Sequence, residues 1–99
     1  MKSSAKRKNP DKWLAEGLAL FNLKKYPEAI KYFDRVLRIN PKFAKAWRWK
    51  GFALRSVERF EEAIKCYEKV IQNDPMHIDA WFNKKLAIRS LENFKQSKI

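Results

Sequence analysis

The 99-residue chain is long enough for one packed core and too short to hold a separate catalytic module beside it. With 45% hydrophobic residues but only two glycines and no threonine, it is short of the residues that strands and hairpin turns consume, so an all-α fold is expected. Twenty-three Lys and Arg against 11 Asp and Glu leave a net charge of +12, while the lone Cys66 excludes an internal disulfide and a cysteine metal pair.

Along the chain, Met1 to Asn9 shows no periodicity and is expected to be a disordered basic tail. Lys2, Lys6, Arg7 and Lys8 place +4 of the charge in the first ten residues. The tail has no apolar stretch behind its basic start, so it is not a secretory signal, and no apolar run approaches the roughly 18 residues of a membrane span. A reducing compartment, the cytoplasm, is the expected location. The first helix is predicted over 11 to 23, followed by a turn at Lys24-Lys25-Tyr26. A second, over 27 to 39, accepts Pro27 in its first turn, where the missing donor is not needed. It stops at Asn40-Pro41, because a residue before proline is pushed out of helical conformation. The same plan then repeats: a helix over 45 to 57, a turn at Glu58-Arg59-Phe60, a helix over 61 to 73 and a stop at Asp74-Pro75.

The repeat has a period of 34 residues. At that shift Trp13, Trp47 and Trp81 align, as do Ala19, Ala53 and Ala87, and Tyr26, Phe60 and Phe94. Glu28-Ala29-Ile30-Lys31 recurs as Glu62-Ala63-Ile64-Lys65, and Pro41 as Pro75. The predicted units are 10 to 43, 44 to 77 and a half unit, 78 to 99. The half unit holds one helix, over 79 to 92, before its turn aromatic Phe94. That helix is expected to cap the stack, with Asn83, Lys84 and Lys85 solvating its outer side.

In its spacing the chain resembles the tetratricopeptide repeat family, whose pattern is W-x2-L-G-x2-Y, then A-x3-F, then P. Trp13, Gly17, Leu20, Ala29, Phe33 and Pro41 fill those slots in the first unit, and Trp47, Gly51, Leu54, Ala63, Tyr67 and Pro75 in the second. Glu16, Lys50 and Lys84 stand where the pattern writes Leu. The resemblance implies five helices in about two and a half units, wound as a right-handed superhelical stack of antiparallel helix hairpins. Gly17 and Gly51 are expected to face Ala29 and Ala63 where the two helices of a hairpin approach. It further implies a concave groove, lined by the first helix of each unit, that receives a peptide. The chaperone-adaptor branch grips an acidic C-terminus with a clamp of basic and amide side chains. At the clamp positions this chain carries Leu14, Leu18, Trp49, Asp79 and Asn83, so that branch is disfavoured.

The face of each such helix opposite the core is found by rotation of 100° per residue. In the second unit it holds Lys45, Arg48, Trp49, Phe52 and Arg55; its equivalents are Leu14 and Leu18 in the first unit and Phe82, Leu86 and Arg89 in the third. These ten are the candidate ligand-binding residues. Two readings stay open. Leu18, Phe52 and Leu86 could stitch neighbouring helices together; or they form an apolar floor flanked by cations, suited to a protein or peptide with hydrophobic and acidic residues. Trp49 does not repeat, since Ala15 and Asn83 occupy its slot, which makes it either a ligand anchor or an indole lying over Arg48 or Lys45.

Nucleic acid is the rival partner, on the strength of the +12 charge and seven arginines mixed with aromatics, but that charge is dispersed. A designed or fragmentary scaffold without a ligand is a third reading, and self-association through the last helix a further one. Catalysis is not expected: one His and one Cys build no triad, metal cluster or phosphate loop, and no cofactor is implied. His77 is expected to be a solvated turn residue and Cys66 a small packing residue.

Overall fold

A computed structural model describes residues 9 to 98. Five helices follow one another: α1 Pro10–Asn22, α2 Tyr26–Ile39, α3 Ala44–Ser56, α4 Phe60–Asn73 and α5 Ile78–Ser97. Each packs against the next, and α1 also reaches α3. The expected all-α stack of hairpins is therefore what the chain forms, with no strand among the described residues. Residues 1 to 8 of the expected tail lie outside the described residues, and Asn9 is the N-cap of α1, its side-chain oxygen accepting from the Lys12 amide at 3.2 Å.

The period of 34 is written into local hydrogen bonds as well as into packing. Helix α2 gives way to extended Asn40 and α4 to Asp74 at the prolines, as proline sterics require. The Asn40 side chain then accepts from the Lys42 amide at 3.1 Å, and Asp74 from the Met76 amide at 3.1 Å. The Trp47 indole N–H donates to the Pro41 carbonyl at 2.6 Å, and Trp81 repeats this with Pro75 at 2.8 Å. An indole at this slot thus packs and also satisfies a carbonyl freed by the helix end.

Within each hairpin the turn is made by a left-handed residue, Lys24 at φ 62° and Glu58 at φ 64°. The Lys25 amide closes back on the Leu20 carbonyl at 2.9 Å, and the Arg59 amide on Leu54 at 2.9 Å. A left-handed non-glycine residue costs about 1–2 kcal/mol, which the packing of the following helix offsets. In the third unit no helix packs behind α5 among the described residues, Glu92 stays helical, and α5 runs on to Ser97 where a turn at Phe94 was expected. The extension is held by Phe94, whose ring meets that of Phe60 edge-on at 5.7 Å, and by Lys95, 4.0 Å from Glu61.

Two buried clusters form the core, one around Phe33 with Val36 and Ala46, the other around Tyr67 with Leu54 and Ala87. The glycines serve these rings. A Cβ on Gly17 would fall 2.6 Å from the Phe33 ring, and one on Gly51 2.5 Å from the Tyr67 ring. The expected partners Ala29 and Ala63 are buried, but it is an aromatic ring that each glycine makes room for. The departures from the pattern also repeat. Lys50 pairs with Asp34 of α2 at 2.7 Å, and Lys84 with Glu68 of α4 at 3.2 Å, so the lysines in the Leu slots tie each hairpin to the next.

Candidate functional site

The ten candidate residues fall into three environments. Leu14 is buried among Ala29, Phe33, Val36, Leu37 and Ala46, which removes it from any ligand surface: it faces the α2 side of α1 instead of the open one. Leu18 is half-buried against that same cluster. Trp49 is wedged between two aromatics, its ring 5.2 Å from Phe21 and 5.2 Å from Phe52, edge-on to each. Phe21 in turn meets Tyr26 at 5.2 Å, and Phe52 meets the buried Tyr67 at 5.9 Å. A run of five rings, Tyr26, Phe21, Trp49, Phe52 and Tyr67, therefore crosses from the first hairpin to the second. The indole that breaks the repeat lies over Phe21 and Phe52, not over Arg48 or Lys45, because Phe21 stands where the other units carry Arg55 and Arg89.

The second environment is cationic. Exposed Lys45 and half-buried Arg48, at the start of α3, share a hollow of about 210 Å³ with Ala44 and His77. The Arg48 Nε is buried with no hydrogen-bond acceptor in reach among the described residues. His77 is half-buried, not a solvated turn residue: its Nδ1 accepts from the Ala80 amide at 3.1 Å and caps α5. The register could have pointed to it, since Phe43 holds the same slot before α3. No carboxylate lines this corner. Arg55 is half-buried near Tyr67, whose hydroxyl has no hydrogen-bond partner among the described residues.

The third environment is on α5. Leu86 is half-buried and Arg89 exposed. Phe82 lies at the edge of an apolar hollow of about 450 Å³ with Ile78, Trp81, Lys84, Lys85 and Ile88. Of the three residues expected to solvate this helix, Asn83 is half-buried and Lys84 is turned to Glu68, which leaves Lys85.

Burial pushes the Cys66 thiol up to about 12 and the Tyr67 hydroxyl to about 12, so neither ionises near neutral pH. Among the described residues no three His, Cys, Asp or Glu side chains come together as metal ligands. Among the described residues no helix is long and apolar enough to cross a membrane.

A tetratricopeptide repeat family model matches residues 14 to 75. Among solved structures the chain is similar to the first such domain of human RPAP3, at 26% identity and a TM-score of 0.88, covering 95% of this chain and 74% of that one. It is similar to the first such domain of Spaghetti (RPAP3) bound to the HSP90 peptide SRMEEVD, at 27% identity and a TM-score of 0.83, covering 87% of this chain and 68% of that one. It is also similar to MamA of Desulfovibrio magneticus RS-1, at 28% identity and a TM-score of 0.82, covering 91% of this chain and 51% of that one. The chain thus spans about half the length of that MamA structure. No curated protein matches it in sequence.

Proposed function

This chain belongs to the tetratricopeptide repeat family, and from that premise we propose that it holds an extended peptide segment, with apolar and acidic side chains, on the face formed by α1, α3 and α5. Interaction with proteins is the family's work, and a structural neighbour was solved with a peptide in place. The acidic preference is carried by one observation: Lys45, Arg48 and His77 surround a hollow that no carboxylate lines, and the Arg48 Nε lacks an acceptor there. A carboxylate entering that corner would meet two cations, Lys45 and Arg48, beside the His77 ring. Phe52, Leu86 and Phe82 supply apolar surface along the same helices, and Arg55 and Arg89 add positive charge.

A chaperone tail is a poor fit for this surface. Leu14 is buried, Leu18 is half-buried and Trp49 is held between rings, so three clamp positions present no ammonium or amide. The test is selection of displayed peptides against the folded chain, followed by titration of the winners and of SRMEEVD. The winners are expected to carry acidic and apolar residues. Lys45→Glu combined with Arg48→Glu is expected to weaken them about tenfold at unchanged helicity. SRMEEVD should bind no better than its scrambled form. Winners indifferent to the charge reversal would sink the proposal.

A further inference from the structure

The side of α5 turned away from α4 has no neighbour among the described residues. Ala80 and Ala87 are buried toward α4, and at 100° per residue Ile78, Trp81, Lys85 and Ile88 form one stripe roughly a third of a turn around the helix from them. Ile78 is 78% exposed, Trp81 49% and Ile88 38%, so three large apolar residues stand together in water. In the first two hairpins the following helix covers the corresponding stripe, laying Arg35 over the Trp13 ring and Lys69 over the Trp47 ring. Over Trp81 lies, among the described residues, only Lys84 of its own helix.

We propose that this face docks an acidic amphipathic helix of another polypeptide, with a small residue seated over Lys85. Shape argues for the small residue. In the first two hairpins an aromatic ring enters the space left by Gly17 or Gly51, within 2.6 Å of where a Cβ would be. Lys85 holds that slot in α5, so its stem fills the space and a helix built like α2 or α4 cannot seat. Charge argues for the acid. The hollow is lined by Lys84 and Lys85 and by no carboxylate. Glu68 already pairs with Lys84, which leaves the Lys85 ammonium without an ion-pair partner among the described residues. Glu92 lies two turns beyond Lys85 on the same stripe, so the acid is wanted at the level of Trp81 to Ile88 and not at the far end. A second copy is the weaker occupant. Pairing two α5 helices through this stripe would join two chains of net charge +12 and supply no acid for Lys85.

The inference does not depend on the concave surface, and the experiment separates the two. The probe is a synthetic stapled helix with a leucine stripe, a central alanine and flanking glutamates, read by fluorescence anisotropy against the full chain. One twin carries lysines for the glutamates, and a second carries phenylalanine for the alanine. The acidic helix is expected to bind, and each twin to bind about tenfold more weakly. Ile88→Glu and Lys85→Glu, both at exposed positions, should weaken it to a similar degree, while Lys45→Glu with Arg48→Glu leaves it unchanged. Equal binding of the lysine twin, or an Ile88→Glu variant that binds normally, would overturn the proposal. So would sedimentation showing that the chain alone forms a dimer which Ile88→Glu dissolves, since a second copy would then own the face.

Discussion

Gly51 and Lys85 occupy the same slot of the repeat and differ in what lies above them. Over Gly51 sits the ring of Tyr67, fully buried, and an added Cβ would stand 2.5 Å from it. Gly51→Ala should gain up to about 1 kcal/mol of helix propensity. Displacing a ring with nowhere to go costs about 1–3 kcal/mol, so the net expectation is a loss of roughly 1 kcal/mol. Lys85→Ala, with no ring above it, should stay within about 0.5 kcal/mol. Urea unfolding of both variants checks this, and a stabilised Gly51→Ala would mean that the ring has room to move. The need for a small residue here was legible in the pattern, but its reason was not: helix spacing suggests Ala63 as the neighbour, and only side-chain direction reveals Tyr67. Leu14 failed for a similar reason. Its place on the helical wheel is right, but α2 closes over that part of α1.

Element boundaries were legible wherever a local rule enforces them. The prolines at 41 and 75 end α2 and α4 where the sequence says they must. The tight turns inside the hairpins were legible only from the repeat, because Lys24 and Glu58 are not residues that announce a left-handed turn. The same weakness explains α5. Nothing in Glu92-Asn93-Phe94 forces a turn, and the helix continues through Phe94 to Ser97. Phe94, half-buried on Phe60, is then the anchor of that last stretch. Phe94→Ala should cost about 1–2 kcal/mol, less than the ~3–5 kcal/mol of a fully buried phenylalanine. It should also release the end of the helix, seen as faster amide exchange from Asn93 to Ser97. Unchanged exchange there would show that the extension holds itself without the ring.

At the scale of the whole molecule the open question is charge. A net +12 on 99 residues guarantees some attraction to nucleic acid, whatever the chain is for. The distribution suggests that this attraction is loose. A third of the surplus, Lys2, Lys6, Arg7 and Lys8, lies in the first ten residues, and the other two thirds is spread over the three units, where acids are interspersed with the bases. Lys50 and Lys84 pair with Asp34 and Glu68, and Arg59 with Glu62, whose carboxyl that hydrogen bond holds below its ordinary range. An array of phosphate contacts releases counterions, so binding to single-stranded RNA should fall with added salt at a logarithmic slope of about −0.7 per phosphate neutralised. A peptide held by apolar contact and one cationic corner should lose far less. The expected result is therefore binding of polyuridine only at low ionic strength, essentially gone by about 200 mM salt, while a selected acidic peptide still binds. RNA binding that persists at that salt and is abolished by Lys45→Glu with Arg48→Glu would transfer the corner beside His77 from an acidic side chain to a phosphate.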